Sequence, residues 1–102
     1  MAFNKGLEES IKRIEHYREF NKPNWNGYDA EPISEKVILK ALDLVKQMYP
    51  VPDVTPTGRN SIQFEWEVEA LHLYLEMEIY EDKIEMFNQA NYGEINAYIG
   101  GE

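Results

Sequence analysis

The sequence predicts an α+β fold: two N-terminal helices packed on one face of a three- or four-stranded antiparallel β-meander. Three observations predict it. Apolar residues recur every three to four positions through the first half of the chain. From residue 61 they alternate strictly with polar residues, mostly glutamate. Clusters of asparagine, glycine and proline separate the periodic stretches.

The first helix spans about residues 5–20, because Phe3, Leu7, Ile11, Ile14 and Tyr17 form one stripe that ends before Pro23. Residues 21–33 are dense in turn formers, and Asn26-Gly27 both tolerate positive φ. Ser34 is a good N-cap for a second helix over about residues 35–49, with Ile33 and Ile38 placed as a hydrophobic staple. Its stripe is Ile38, Ala41, Leu42, Val45, Met48 and Tyr49, and Pro50 and Pro52 stop it. Residues 50–60 hold three prolines and Gly58 and read as a connector.

Strands are expected at about residues 61–68, 71–80 and 83–88. A two-residue loop at Glu69-Ala70 sets Val68 opposite Leu71, Trp66 opposite Leu73, Phe64 opposite Leu75 and Ile62 opposite Met77. A second loop at Glu81-Asp82 sets Ile79 opposite Ile84 and Met77 opposite Met86. A slip of one residue would bury glutamates, so the pattern pins the faces. In the tail, residues 89–102, Ile95, Ala97 and Ile99 alternate as a candidate further strand.

At 102 residues the chain reads as a single domain over 1–102. With 43% hydrophobic residues it can bury a modest core without metal or disulfides. It has no cysteine, hence no thiolate metal site and no thiol nucleophile, and this suits the cytoplasm. The N-terminus leads into a charged helix rather than a signal-peptide core, and no apolar run is long enough to span a membrane.

The net charge of −9 is unevenly spread. Residues 1–49 hold eight acids and eight bases, whereas residues 61–87 hold eight acids and only Lys83 as a base. Such a surface repels phosphate backbones and argues against direct nucleic-acid binding. The expected outer sheet face gathers Glu65, Glu67, Tyr74, Glu76, Glu78, Glu85 and Phe87. Its cross-strand pairs are Glu67 with His72, Glu65 with Tyr74, Gln63 with Glu76, Glu76 with Phe87 and Glu78 with Glu85. Three readings fit: a docking surface for a basic protein with aromatic anchors, a divalent cation held by Glu76, Glu78 and Glu85, or a solvated face that resists aggregation. Trp25 and Tyr28 on their loop are either a binding hot spot or a plug over the open end of the core.

No Gly-rich phosphate loop and no nucleophile-elbow context occur, so no catalytic residue and no cofactor are predicted. His72, next to Glu67 in the expected register, is read as a surface cross-strand partner and His16 as a polar-face residue of the first helix.

The stretch Trp25-Asn26-Gly27-Tyr28-Asp29-Ala30-Glu31-Pro32-Ile33-Ser34 is followed by a proline-containing connector, then Phe64-Glu65-Trp66 and Leu75-Glu76-Met77-Glu78-Ile79. This order resembles a group of small, uncharacterised bacterial proteins over about residues 24–87. There a W-(D/N)-G-Y-x-A-x-P-(I/V)-S segment opens a helix and a Leu-Glu-Trp-like triplet ends a strand. The resemblance implies a bacterial or phage origin and assigns no catalytic or binding residue.

Together these features point to a non-enzymatic, cytoplasmic interaction module whose partner is a protein with a basic surface, such as the target of an acidic antitoxin, immunity protein or phage inhibitor. The alternatives are a homo-oligomer paired through sheet edges or the Trp25/Tyr28 loop, and a small-ligand or divalent-metal domain.

Overall fold

The computed structural model describes residues 5–71 and 73–90. Helix α1 is Lys5–His16, prolonged by a 3-10 turn at Tyr17–Glu19, and helix α2 is Glu35–Val45. Four strands follow: β1 Asp53–Pro56, β2 Ile62–Val68, β3 Leu73–Ile79 and β4 Ile84–Ala90. They form one antiparallel sheet in the order β1-β2-β3-β4. The α+β architecture is the one the sequence predicts.

The fourth strand comes from the connector. Asp53–Pro56 pairs with β2, Val54 lying opposite Phe64. Pro56 is tolerated because β1 is an edge strand and Pro56 ends it. The candidate strand at Ile95–Ile99, like Phe3 at the start of the first stripe, lies outside the described residues.

Both helices are shorter than their apolar stripes suggest. After His16 the chain tightens into 3-10 geometry, and Phe20 N–H donates to the Tyr17 carbonyl at 2.9 Å. At the end of α2, Gln47 N–H donates to Leu44 O and Met48 N–H to Val45 O, both three-residue closures. Pro50 disfavours helical geometry at Tyr49. Tyr49 is therefore 93% exposed and leaves the stripe, while Met48 still packs on the core. The start of α2 is as predicted: Ser34 Oγ accepts from Val37 N–H at 3.3 Å. Such a cap contributes about 1 kcal/mol.

The core lies between the helices and one face of the sheet. Val37, Ile38, Ala41 and Val45 of α2 pack with Val54, Ile62, Phe64 and Ile79, and Ile14 and Tyr17 close the layer from α1. Phe64, Ile62 and Ile79 are fully buried; each such side chain stabilises the fold by roughly 1.5–3 kcal/mol relative to exposure. Polar ties orient the layers. Ser10 Oγ donates to Pro52 O at 3.2 Å and Tyr17 Oη to Val54 O at 3.1 Å, fixing α1 against β1. Burial raises the Tyr17 pKa, an effect the nearby Arg13 charge partly offsets, so this hydroxyl stays a donor. Lys40 of α2 donates to the Tyr80 carbonyl at 3.1 Å and holds the β3–β4 turn.

The β3–β4 register is the expected one, with Ile79 opposite Ile84 and Met77 opposite Met86. The β2–β3 register is shifted by two residues from the expectation. Val68 faces Leu73, Trp66 faces Leu75, Phe64 faces Met77 and Ile62 faces Ile79. A 3-10 turn at Glu69–Leu71 lengthens the connection, since Glu69-Ala70 cannot supply the positive φ values of a two-residue loop. An even shift keeps every side chain on its predicted face.

Candidate functional site: an acidic sheet face

The face of the sheet away from the helices carries the carboxylates. Alternation along each strand puts Asp53 and Thr55 of β1 on this side, with Gln63, Glu65 and Glu67 of β2, Tyr74, Glu76 and Glu78 of β3, and Glu85 and Phe87 of β4. The pairing arranges them in rows across the strands. One row runs Asp53, Glu65, Glu76, Phe87. The next runs Thr55, Gln63, Glu78, Glu85. Glu67 lies opposite Tyr74.

Because of the shifted register, Glu65 faces Glu76 rather than Tyr74, and Gln63 faces Glu78 rather than Glu76. The expected Glu67–His72 pair is replaced by Glu67–Tyr74, and His72 itself lies outside the described residues. The Glu76–Phe87 and Glu78–Glu85 pairs are those expected.

The glutamates fall into two electrostatic groups. Glu78 is engaged inside the chain: Arg59 donates to its Oε2 from Nε and Nη2, each at 2.9 Å, and Ser61 Oγ donates at 2.5 Å. Burial alone would push its pKa up, but the hydrogen bonds from Arg59, Ser61 and Tyr80 outweigh burial and hold it below the ordinary value. Glu85 pairs with Lys83 at 3.0 Å, and the Lys83 ammonium also sits 4.7 Å from the centre of the Tyr80 ring. The charges of Glu78 and Glu85 are thus offset locally.

Asp53, Glu65, Glu67 and Glu76 form no ion pair among the described residues. Their contacts are with neutral donors: Gln63 Nε2 donates to Glu65 Oε2 at 2.7 Å, and Tyr74 Oη to Glu76 Oε2 at 2.5 Å. Burial, then the bond to Glu76 and the Glu65 charge, pushes the Tyr74 hydroxyl far above its ordinary pKa, so Tyr74 remains protonated. Three carboxylates in one cross-strand row repel one another.

Beside this row, Glu76, Glu78, Glu85 and Phe87 line a shallow depression of about 300 Å³. Its size and lining suit a cationic side chain. Among the described residues no three acidic or histidine side chains converge to hold a metal ion, and Glu78 Oε2 already accepts from Arg59 and Ser61. Ser61 bonds to both Glu78 and Thr57, yet it is fully buried, so no substrate reaches its hydroxyl.

The two rings of the aromatic loop sit differently. Trp25 stacks on Phe20 with centroids 4.4 Å apart and donates from Nε1 to Glu31 O at 2.7 Å; it closes the end of the core. Tyr28 is 86% exposed. The loop beneath it is held by two asparagines. Asn24 Oδ1 accepts from Asp29 N–H at 2.6 Å, and Asn26 Oδ1 from Tyr28 N–H at 2.7 Å. Gly27 supplies φ +79°, and Ala30 packs against Gly58. The Trp25-to-Ser34 segment is therefore largely explained by folding: stack, turn, close approach, staple and cap.

Asp53, Arg59 and Ser61 were invisible as site residues in the sequence. Asp53 and Arg59 fall in the stretch read as connector, and Ser61 at the start of the expected strand over 61–68. The one local sign was Val54-Thr55, two β-branched residues between prolines.

No family model, no curated protein and no solved structure matches the chain. No helix among the described residues is long and apolar enough to cross a membrane.

Proposed function

We propose that the chain is a non-enzymatic protein-interaction module whose acidic sheet face docks on a basic, nucleic-acid-handling protein. An antitoxin, an immunity protein or a phage inhibitor acting in the bacterial cytoplasm would work this way. The observation that supports the reading is the row Asp53, Glu65, Glu76 with Glu67 beside it: four carboxylates on one open face, without ion pairs among the described residues.

Such a face speeds encounter with a basic surface and rejects acidic competitors. Lysine or arginine side chains of the partner would relieve the Glu65–Glu76 repulsion on docking, so binding gains what folding gave up. Tyr74 and Phe87 flank the row as aromatic anchors, and the depression beside Phe87 receives one cationic side chain.

The test compares the wild-type chain with Glu65→Gln/Glu67→Gln/Glu76→Gln as bait in bacterial lysate. At about 50 mM salt the wild type should retain a basic nucleic-acid-binding protein, and about 500 mM should release it, since the Debye length then shrinks from about 14 Å to about 4 Å and the attraction between the two surfaces is screened. The variant should retain none. Recovery of no basic protein, or retention indifferent to salt and to the substitutions, overturns the reading.

A further inference from the structure

We infer that Asn26 is a self-modification site: its side-chain amide cyclises onto the Gly27 nitrogen and hydrolyses to aspartate and isoaspartate, and the fold of residues 24–30 holds this reaction back until the loop opens. The site lies at the end of the core and is independent of the acidic face. Of the asparagines in the chain, Asn26 alone precedes a glycine. A neighbour without a Cβ leaves its backbone nitrogen unhindered, and attack within one chain segment avoids the entropy cost of bringing two molecules together. Asn26 and Gly27 are both exposed, so water reaches them.

The chemistry needs only water. Base in the solvent takes the Gly27 N–H proton, the nitrogen attacks Asn26 Cγ, and the Cγ–Nδ2 bond breaks to release ammonia. A succinimide ring remains. Water opens it at Cγ to leave aspartate, or at the original peptide carbonyl to leave isoaspartate, whose main chain runs through Cγ. Water enters, ammonia leaves, and nothing is oxidised or reduced. Either product takes the net charge from −9 to −10.

The folded loop opposes the first step. Gly27 N–H donates to Asn24 O at 3.1 Å, so the attacking nitrogen is engaged and its proton is held. That bond closes a turn with Asn26 as its third residue, where types I and II hold ψ near about 0°. Ring closure needs Cβ rather than N of Asn26 to eclipse the Gly27 nitrogen, a rotation of about 120° in ψ that breaks this turn. The amide itself is pinned, since its Oδ1 accepts from Tyr28 N–H at 2.7 Å and from Ala30 N–H at 3.3 Å. Around it, Asn24 N–H donates to Ala30 O at 2.7 Å and Asn24 Oδ1 accepts from Asp29 N–H at 2.6 Å. Cyclisation therefore waits for the loop to open. The two products then part ways. Aspartate keeps an oxygen where Tyr28 and Ala30 donate. Isoaspartate lengthens the main chain by a methylene and displaces that oxygen, so the turn cannot reclose and the cover that Trp25 gives the core loosens.

Peptide mapping by mass spectrometry, with isoaspartyl-specific methyl labelling as a second readout, follows conversion of the full chain in mildly alkaline buffer. Conversion should concentrate at Asn26 in about 6 M guanidinium chloride, where the chain is unfolded. In native buffer it should be slower by about tenfold or more, the fraction of time the loop is closed. Asn24→Ala loses the bond from Asp29 N–H and sets alanine at φ 63°. Folded by circular dichroism, it should convert Asn26 about tenfold faster than the wild type. In the wild type, guanidinium below the unfolding transition should raise conversion in step with hydrogen exchange at the Gly27 and Tyr28 amides, a readout that needs no variant. The purified isoaspartyl form should melt below Asn26→Asp, which should melt close to the wild type. Asn26 left intact in denaturant overturns the inference. So does conversion equally fast in the native and unfolded chain, conversion that does not follow exchange at those amides, or an isoaspartyl form as stable as Asn26→Asp.

Discussion

Replacing Glu65 with lysine should make the protein more stable while weakening its proposed binding. Glu65 lies opposite Asp53 on one side and Glu76 on the other. Each like-charged pair costs roughly 0.2–1 kcal/mol, and an opposite-charged pair returns a similar amount. With about 0.5 kcal/mol for each state, Glu65→Lys swings two pairs by about 2 kcal/mol in total. It also loses the 2.7 Å bond from Gln63 Nε2, a loss of about 1 kcal/mol. The net gain is therefore about 1 kcal/mol, which for a domain of this size raises Tm by about 4–8 °C. Glu65→Gln removes about 1 kcal/mol of repulsion and keeps an Oε1 that can accept from Gln63, so its rise should be of similar size. Thermal unfolding by circular dichroism measures both, at low salt and near 1 M, where a Debye length of about 3 Å should erase most of the gain. A Tm that falls, or a rise that persists in high salt, would refute the reasoning, because Glu65 would then not be held between two carboxylates.

Glu78 should give the stability curve an acid limb. Its folded pKa lies below the ordinary 4.5, so as pH falls the unfolded chain takes up its proton first, and stability present above that value is lost as pH drops through the folded value. Urea unfolding between about pH 2.5 and 7 should show a shallower limb for Glu78→Gln than for the wild type. Trp25→Ala should destabilise markedly, by about 2–4 kcal/mol, through lost stacking on Phe20 and a cavity at the end of the core. Tyr28→Ala should stay within about 0.5 kcal/mol of wild type in the same denaturation assay. Lys40→Met should leave the overall fold in place by circular dichroism. It should also speed hydrogen exchange at the β3–β4 turn, where Lys40 otherwise bridges the Tyr80 and Lys83 carbonyls.

The partition of the sheet into an apolar and an acidic face was legible because it depends only on period-two alternation from Ile62 to Ile79. The β3–β4 register was legible because Glu81-Asp82 form a true two-residue loop closed by Tyr80 and Lys83. The β2–β3 register was not, because the extra turn at Glu69–Leu71 carries no distinctive residue. β1 was hidden by Pro56 at its end, by Pro52 just before it and by its four-residue length. The site suffered from the same gap. The pairing of Glu78 with Arg59 spans nineteen residues and rests on the fold of the Thr57–Ser61 turn, so no local pattern announced that this glutamate is compensated. The surviving row gained Asp53 for the same reason.

On the proposed function, a partner covers the outer face of the sheet. Hydroxyl-radical footprinting of the complex with a captured partner tests it most directly. Tyr74 and Phe87 should be protected, with Tyr28 and Tyr49 reacting as they do in the unbound protein. Protection confined to Tyr28 or Tyr49, with Tyr74 and Phe87 still reactive, would contradict it.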